Sequence, residues 1–364
     1  MTDAETSARF VRDAHAMVRD LLAVNQRRYW TDFLITIAIA YGALAVYLVT
    51  SPWSPAQLTA LATAGFAMYR AVVFTHEIAH RPEAAFRPFR AGWNLLCGIP
   101  FLMPSFMYGD HKDHHASRVY GTWADPEYIV RTPGQRGRIV VFLMLPVVYP
   151  LVMALRFLLL TPLALVSRRL DGIVWTYASS LYIMNESYRR EYGSAATSRA
   201  RWLQEVACSA WAWFITALAF AGYIGWPTLA RTYLLFLFWI ALNQVRTLVA
   251  HRYASDADTP VSYLDQLLDT NTFPRGRWLP ELWAPVGLRY HALHHLLPML
   301  PYHASREAHI RLMRRLPQDS PYHRTVRSGL WPALRSTLFD PEHSLPVDHA
   351  VVSSTRLGDR RGSR

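Results

Sequence analysis

An all-α integral membrane protein is what the sequence predicts, with four transmembrane helices in two hairpins and a cytoplasmic helical cap. Three observations predict it. Hydrophobic residues make up 52% of the 364, yet mean hydropathy is only slightly positive, so the apolar residues are concentrated in runs. Four such runs, near 33–50, 58–75, 206–223 and 231–250, come close to the about 20 residues a spanning helix needs. The runs are joined in pairs by Ser51–Gln57 and Ile224–Thr228, short uncharged links that each carry Trp and Pro. Those links are expected to be tight outer turns with Trp at the membrane interface.

Each element follows in order. Residues 1–31 are Arg-rich and amphipathic, and are expected to form a cytoplasmic segment lying on the membrane surface. A membrane domain over 32–315 begins with Phe33–Thr50, which has no charge, and Leu58–Phe74, which has only Arg70. Gly92–Met107 is apolar but short and is interrupted by Pro100 and Pro104, which suits an interfacial or re-entrant piece. Ile139–Val166 contains Pro146, Pro150, Arg156 and Pro162, and is expected to form broken helices in the interface or over a cavity. As a fifth span it would carry His251 to the opposite side from His76. Residues 167–205 are polar, and the second pair of spans follows to His251. The chain closes with a cytoplasmic tail over 316–364, whose end, Arg356–Arg364, is expected to be disordered.

The net charge of +12 has its origin in topology. Arginines gather in the N-terminal segment, the central section and the C-terminal third, so both termini and the central section are expected on the cytoplasmic side. The basic residues are too dispersed for a nucleic-acid surface. The first apolar run starts behind a charged stretch, so no cleavable signal peptide is expected. Cys97 and Cys208 are the only cysteines and form no CxxC pair, which argues against disulfides, iron–sulfur clusters and a fused rubredoxin-type module.

Histidine carries the chemistry. Eight of the fifteen histidines fall in three short stretches: His76-Glu-Ile-Ala-His80, His111-Lys-Asp-His114-His115 and His291-Ala-Leu-His294-His295. A ninth, His251, ends the fourth apolar run. Imidazoles at i and i+3 or i+4 share one helix face and can reach one metal ion. Adjacent histidines point about 100° apart and can serve two ions. Nine histidines exceed the needs of one metal and suit a dinuclear site. His76 and His80 lie where the second span ends, and His251 where the fourth ends, so the cap would hold the site at the cytoplasmic end of the spans. Imidazole suits iron, zinc, copper and nickel alike, so the donors do not name the metal.

Two other classes compete. His76-Glu77-Ile78-Ala79-His80 is the zinc-protease HExxH pattern, with Glu77 as general base. A protease site needs one further ligand and has no use for seven more clustered histidines. A metal carrier would place its ligands at the bilayer midplane and not at one end. His15, His303, His309, His323, His343 and His349 stand alone, and are expected to be structural or solvated.

From these motifs the chain resembles the membrane-bound fatty acid desaturases, bacterial type, the non-haem diiron enzymes with three histidine boxes. The likeness covers roughly residues 30–315. The boxes arrive in the family order, HExxH, HxxHH and HxxHH. RYHALHHLLPMLPYH resembles the family's HxxHHLxPxxP continuation, and NQVRTLVAHRY followed by QLLDTN resembles the section before it in bacterial members. The resemblance implies that His76, His80, His111, His114, His115, His251, His291, His294 and His295 hold two iron ions, with O2 as co-substrate. In one respect the chain departs from acyl-CoA desaturases, where an Asn one helical turn before the extra histidine contributes to the site. Here Thr247 holds that position, and Asn243 is about 12 Å of helix rise from His251. Water, or a carboxylate such as Asp269 or Glu77, would complete that iron. Asp110, Asp113, Asp125 and Asp269 lie near the boxes and could accept the free ring N–H of ligating histidines.

Spacing then chooses within the superfamily. Alkane hydroxylases have a longer spacing before the paired histidines of box two and an HYG motif, whereas this chain has HKDHH and AHRY. Front-end desaturases replace the first histidine of box three with Gln, and this chain keeps His291. No HPGG cytochrome b5 module is present. The resemblance therefore implies an O2-dependent fatty acyl desaturase acting on a lipid, acyl-CoA, acyl-ACP or free acid in an apolar tunnel. Hydroxylation, or oxidative decarboxylation to a terminal alkene, is the alternative on the same two irons. Electrons would come from an external ferredoxin and its reductase, docked on the Arg-rich face, where Arg246 lies near enough to the boxes to pair with a carboxylate or a substrate head group.

Overall fold

The computed structural model describes residues 3–132, 134–181, 184–257 and 261–339. Helices dominate, and among the described residues there is no β-strand, only isolated bridges such as His251–Thr270. Five helical stretches are long and apolar enough to cross a membrane: Gln26–Val49, Pro55–His80, Gln135–Val166, Arg199–Phe220 and Trp226–Ala250.

α1 (Asp3–Met17) precedes the first pair, α2 (Gln26–Val49) and α3 (Pro55–His80). Capping sets where these two begin. The Asn25 side chain accepts the N–H of Arg28, the Ser54 hydroxyl accepts that of Gln57, and Pro55 starts α3 with its φ already fixed. The two helices pack along their length as the expected first hairpin. α4 (Glu83–Trp93) and a π turn over Asn94–Gly98 lead to the short α5 (His111–His114) that carries box two.

Broken helices were the expectation for 139–166, and the structure corrects it. α6 (Gln135–Leu155) continues through a π turn, Arg156–Leu160, into α7 (Thr161–Val166) as one helical run. Proline is tolerated inside it because a neighbour supplies the missing donor. Pro146 cannot donate to the Phe142 carbonyl, and the Gln244 amide donates to it instead at 3.2 Å. Both halves of the run are tied to the end of the molecule where the boxes lie. Gln135 donates to the carbonyls of Ile129 and Tyr253. Arg156 makes a bidentate pair with Glu205 at 2.5 and 2.6 Å and also holds Ser179. His251 consequently stays beside His76 even though the run is long enough to span.

The second hairpin also differs from expectation. α8 (Arg168–Ala178) leads to α9 (Arg199–Phe220) and α10 (Trp226–Ala250), but α10 packs chiefly on α6 and α3. α9 lies instead against the Arg156–Leu160 turn. A short loop fixes connection but not partner, and here side-chain shape decides. Gly65 of α3 lets the Phe238 ring of α10 sit where a β-carbon would stand.

The cap comprises α11 (Tyr263–Leu268), α12 (Leu279–Trp283), α13 (His291–Leu296), which holds box three, α14 (Ser305–Arg315) and α15 (Leu330–Phe339). Its core of Leu293, Leu296, Ala308 and Leu312 also takes in Ala14 and Val18. The N-terminal segment thus seats its apolar side on the cap, where a membrane surface was expected. Most of the tail, 340–364, lies outside the described residues.

Candidate metal centre

α3 ends with His76 and His80 one turn apart, facing α5 and α13, and His251 follows α10 in extended backbone held by its bridge to Thr270. These four segments bring all nine predicted histidines together. Donor atoms of His76, His80, His111 and His294 lie within 4.8 Å of one another, and so do those of His114, His251, His291 and His295. His115 sits against the first group, its Nε2 3.2 Å from His111 Nε2 and 3.0 Å from His294 Nε2. In the second group His251 Nε2 is 3.2 Å from His114 Nε2 and 2.9 Å from His291 Nε2, and His291 Nε2 is 3.1 Å from His295 Nε2.

Such distances are the test of fit for a metal. Ring nitrogens facing one another at about 3 Å cannot all be hydrogen-bonded, because each pair needs one protonated and one free partner. Ligand atoms about 2.1 Å from a common ion are separated by roughly this distance. Both ring nitrogens of His76, and Nε2 of His80, are buried without a hydrogen-bond partner. Burial, then the neighbouring imidazoles, hold His115, His251, His294 and His295 well below the usual histidine range, and burial, then Arg246, does the same to His291. They are neutral at pH 7, the state a ligand requires. Burial acts on His114 in the same sense, but the Asp125 carboxylate outweighs it and raises that group.

A ring of acceptors orients the imidazoles. His114 Nδ1 lies 2.8 and 2.9 Å from the two Asp125 oxygens, which also accept the N–H groups of Gly121 and Glu127. His111 Nδ1 lies 2.7 Å from Glu127, whose other oxygen accepts the Tyr108 hydroxyl. His251 Nδ1 donates to the Tyr120 hydroxyl at 2.9 Å, and Tyr120 donates onward to Asp269 at 2.6 Å. Gln266 differs from these acceptors: its amide nitrogen stands 3.0 Å from His295 Nδ1 and also donates to the His115 carbonyl at 3.4 Å. Burial pushes Asp269 up to about 6, against the opposing hydrogen bonds from Tyr120, the Ala254 N–H and Tyr128.

Not every predicted carboxylate joins this ring. Glu77 is paired with Arg81 at 3.0 Å and accepts the Tyr29 hydroxyl, and it bonds to no imidazole. Asp110 holds Ser180 and faces Arg190, while Asp113 is exposed. Sequence reasoning missed Glu127, Tyr120, Tyr108 and Gln266. Tyr120, Glu127 and Tyr108 sit in turns, and Gln266 lies on α11, whose six residues are too few to show a period; only the acidic stretch Asp125-Pro-Glu127 just after box two hints at any of them.

A chamber of about 70 Å³ opens beside the first group, lined by Thr75, His76, Tyr108, Glu127, Asn243 and Arg246 on its polar side. Tyr149 and Met184 border both this chamber and a groove of about 580 Å³ between α6 and residues 177–180 and 184–186. The groove's wall of Val141, Val148 and Val152 is exposed on the outer surface of α6. The chamber and the groove are thus neighbouring cavities that share Tyr149 and Met184 in their walls.

The comparisons agree with this geometry. The fatty acid desaturase family matches residues 51–327, which spans all three boxes. The chain is 36% identical over 336 residues to the ceramide hydroxylase of Caulobacter vibrioides (strain NA1000 / CB15N), covering 92% of this chain and 94% of that relative.

Proposed function

The chain belongs to the fatty acid desaturase family, and on that premise we propose that it is a membrane diiron oxidase that hydroxylates the acyl region of a ceramide-like lipid. The observation that carries the reading is the pair of histidine groups, the second fully buried, beside a chamber whose lining is largely apolar. Identity to a ceramide hydroxylase over nearly the whole chain favours insertion of oxygen over removal of two hydrogens. His76, His80, His111, His115 and His294 would hold one iron, and His114, His251, His291 and His295 the other. Bound iron supplies the activation of O2 and the attack on an unactivated C–H bond.

The chain's own residues do the rest. Asp125, Glu127 and Tyr120 fix ring orientation and leave each Nε2 lone pair free toward the interior. The chamber's largely apolar lining disfavours bulk water and would admit part of a lipid near His76. The groove takes the remaining chain from the bilayer. Two electrons must arrive from an external carrier such as a ferredoxin with its reductase, on the cytoplasmic face where the cap lies.

Desaturation of a fatty acyl chain is the second reading, favoured by the family match and by HxxHH spacing in box two. One experiment separates them. The protein is co-expressed with ferredoxin and its reductase and supplied with labelled ceramide and labelled fatty acids, and products are read by mass spectrometry. Gain of one oxygen in ceramide is expected. Loss of two hydrogens without oxygen would replace hydroxylation with desaturation. Metal analysis should find about two irons per chain, falling toward about one in His251→Ala. One zinc in place of iron would overturn both readings.

A further inference from the structure

Arg246 stands out among the groups that line the chamber. It lies on α10, five residues before His251, and is only 9% exposed. Its guanidinium donates to Asn243 Oδ1 at 3.0 Å and contacts Tyr69, while Nε is buried with no hydrogen-bond partner. Among the described residues no carboxylate lies within ion-pair distance of it. Its charge nevertheless acts on Glu127, His251 and His291.

A guanidinium stays charged in proteins, and a buried one with an unsatisfied N–H and no carboxylate in ion-pair contact is costly. Two bound cations nearby would add to that cost and would favour an oxygen acceptor brought in from outside. Arg246 and His76 line the same chamber, and Tyr149 and Met184 border both that chamber and the groove on the α6 surface. The geometry points to Arg246, set by Asn243, as a specificity residue. It receives a polar oxygen of the substrate lipid, an amide carbonyl, hydroxyl or carboxylate. This deepens the hydroxylase reading and rests on it. Because Arg246 and His76 line the same chamber, an oxygen held by Arg246 sits beside the first histidine group. The oxidised carbon therefore lies near the polar end of the lipid, not at mid-chain.

The test uses the iron-loaded enzyme in nanodiscs, as wild type, Arg246→Gln and Arg246→Lys. Binding of three probes is measured under anaerobic, non-reducing conditions: a short-chain ceramide, the fatty acid of the same acyl length, and the alkane of that length. Iron per chain is measured alongside. The expected result is ceramide binding weakened roughly tenfold to a hundredfold in Arg246→Gln, partly restored in Arg246→Lys, with alkane binding and iron content unchanged. Loss for the fatty acid alone keeps the anchor, with a carboxylate as its ligand, and removes the ceramide assignment. Equal weakening of all three probes means a structural role and overturns the anchor, as does unaltered binding throughout. If wild-type enzyme fails to hydroxylate ceramide yet the binding difference persists, the anchor stands and the reaction assignment falls.

Discussion

Both carboxylate oxygens of Asp125 face Nδ1 of His114, at 2.8 and 2.9 Å, in a position where neither residue is more than 1% exposed. The same carboxylate is fixed by the N–H groups of Gly121 and Glu127, so the imidazole cannot rotate without breaking a buried charged contact. Removal of such a partner from a metal-binding histidine lowers metal affinity by about 10- to 100-fold. Asp125→Asn is therefore expected to lose iron from the second group first. A chelator titration followed by metal analysis reads it, and retention of iron equal to wild type would show that Asp125 does not act through His114.

Why Asp125 was visible in the sequence and Glu127 was not follows from what each signal contains. The boxes are legible because helical spacing puts imidazoles on one face, and a turn of helix needs no tertiary information. The apolar runs are legible for the same reason, and the observed helices begin earlier only because Asn25, Ser54 and Ser198 cap polar first turns. Tyr120, by contrast, reaches a histidine on another segment from a turn with no period, and Gln266 reaches His295 from α11, which is too short to show one. The partner chosen by α10 was equally hidden, since it depends on Phe238 filling the space that Gly65 leaves. Pro146 and Pro150 looked like breaks because the sequence cannot show Gln244 standing opposite Phe142.

Glu77 separates this site from a zinc protease. Its carboxylate is engaged with Arg81, which also reaches the Met299 carbonyl and so ties α3 to the cap. Both members of the pair are nearly inaccessible, at 1% and 6% side-chain exposure. Breaking a buried pair by removing one charge costs about 3–5 kcal/mol. Glu77→Gln should therefore unfold at a clearly lower temperature, while turnover per iron-loaded molecule stays within a few-fold of wild type. Abolished turnover in a fully folded, fully loaded variant would restore Glu77 as a catalytic base.

The Gln244–Phe142 contact makes a paired prediction. Gln244→Leu leaves the Phe142 carbonyl without a donor, at a cost of about 1–3 kcal/mol. Pro146→Ala supplies an N–H to that same carbonyl from within α6. The double variant should then recover most of what Gln244→Leu loses, which thermal unfolding in detergent would measure as a non-additive cycle. Additive losses would mean that the two residues do not share the carbonyl.

His309 gives a pH dependence that does not involve the metal ligands. It is 5% exposed and lies 2.8 Å from the Tyr322 hydroxyl inside the cap. Burial first, then the charges of Arg289 and His323, lower it to about 4. An unfolded histidine titrates near 6.5, so between these values the unfolded chain binds a proton that the folded chain refuses. The neutral group's contribution is fully present above about 6.5 and is lost as pH falls toward 4. At pH 5 the loss amounts to about 2 kcal/mol. Wild type should therefore lose more unfolding temperature between pH 7.5 and 5 than His309→Gln, the titration of the other histidines being common to both proteins. Parallel pH profiles would mean that His309 is protonated as readily in the fold as in the unfolded chain.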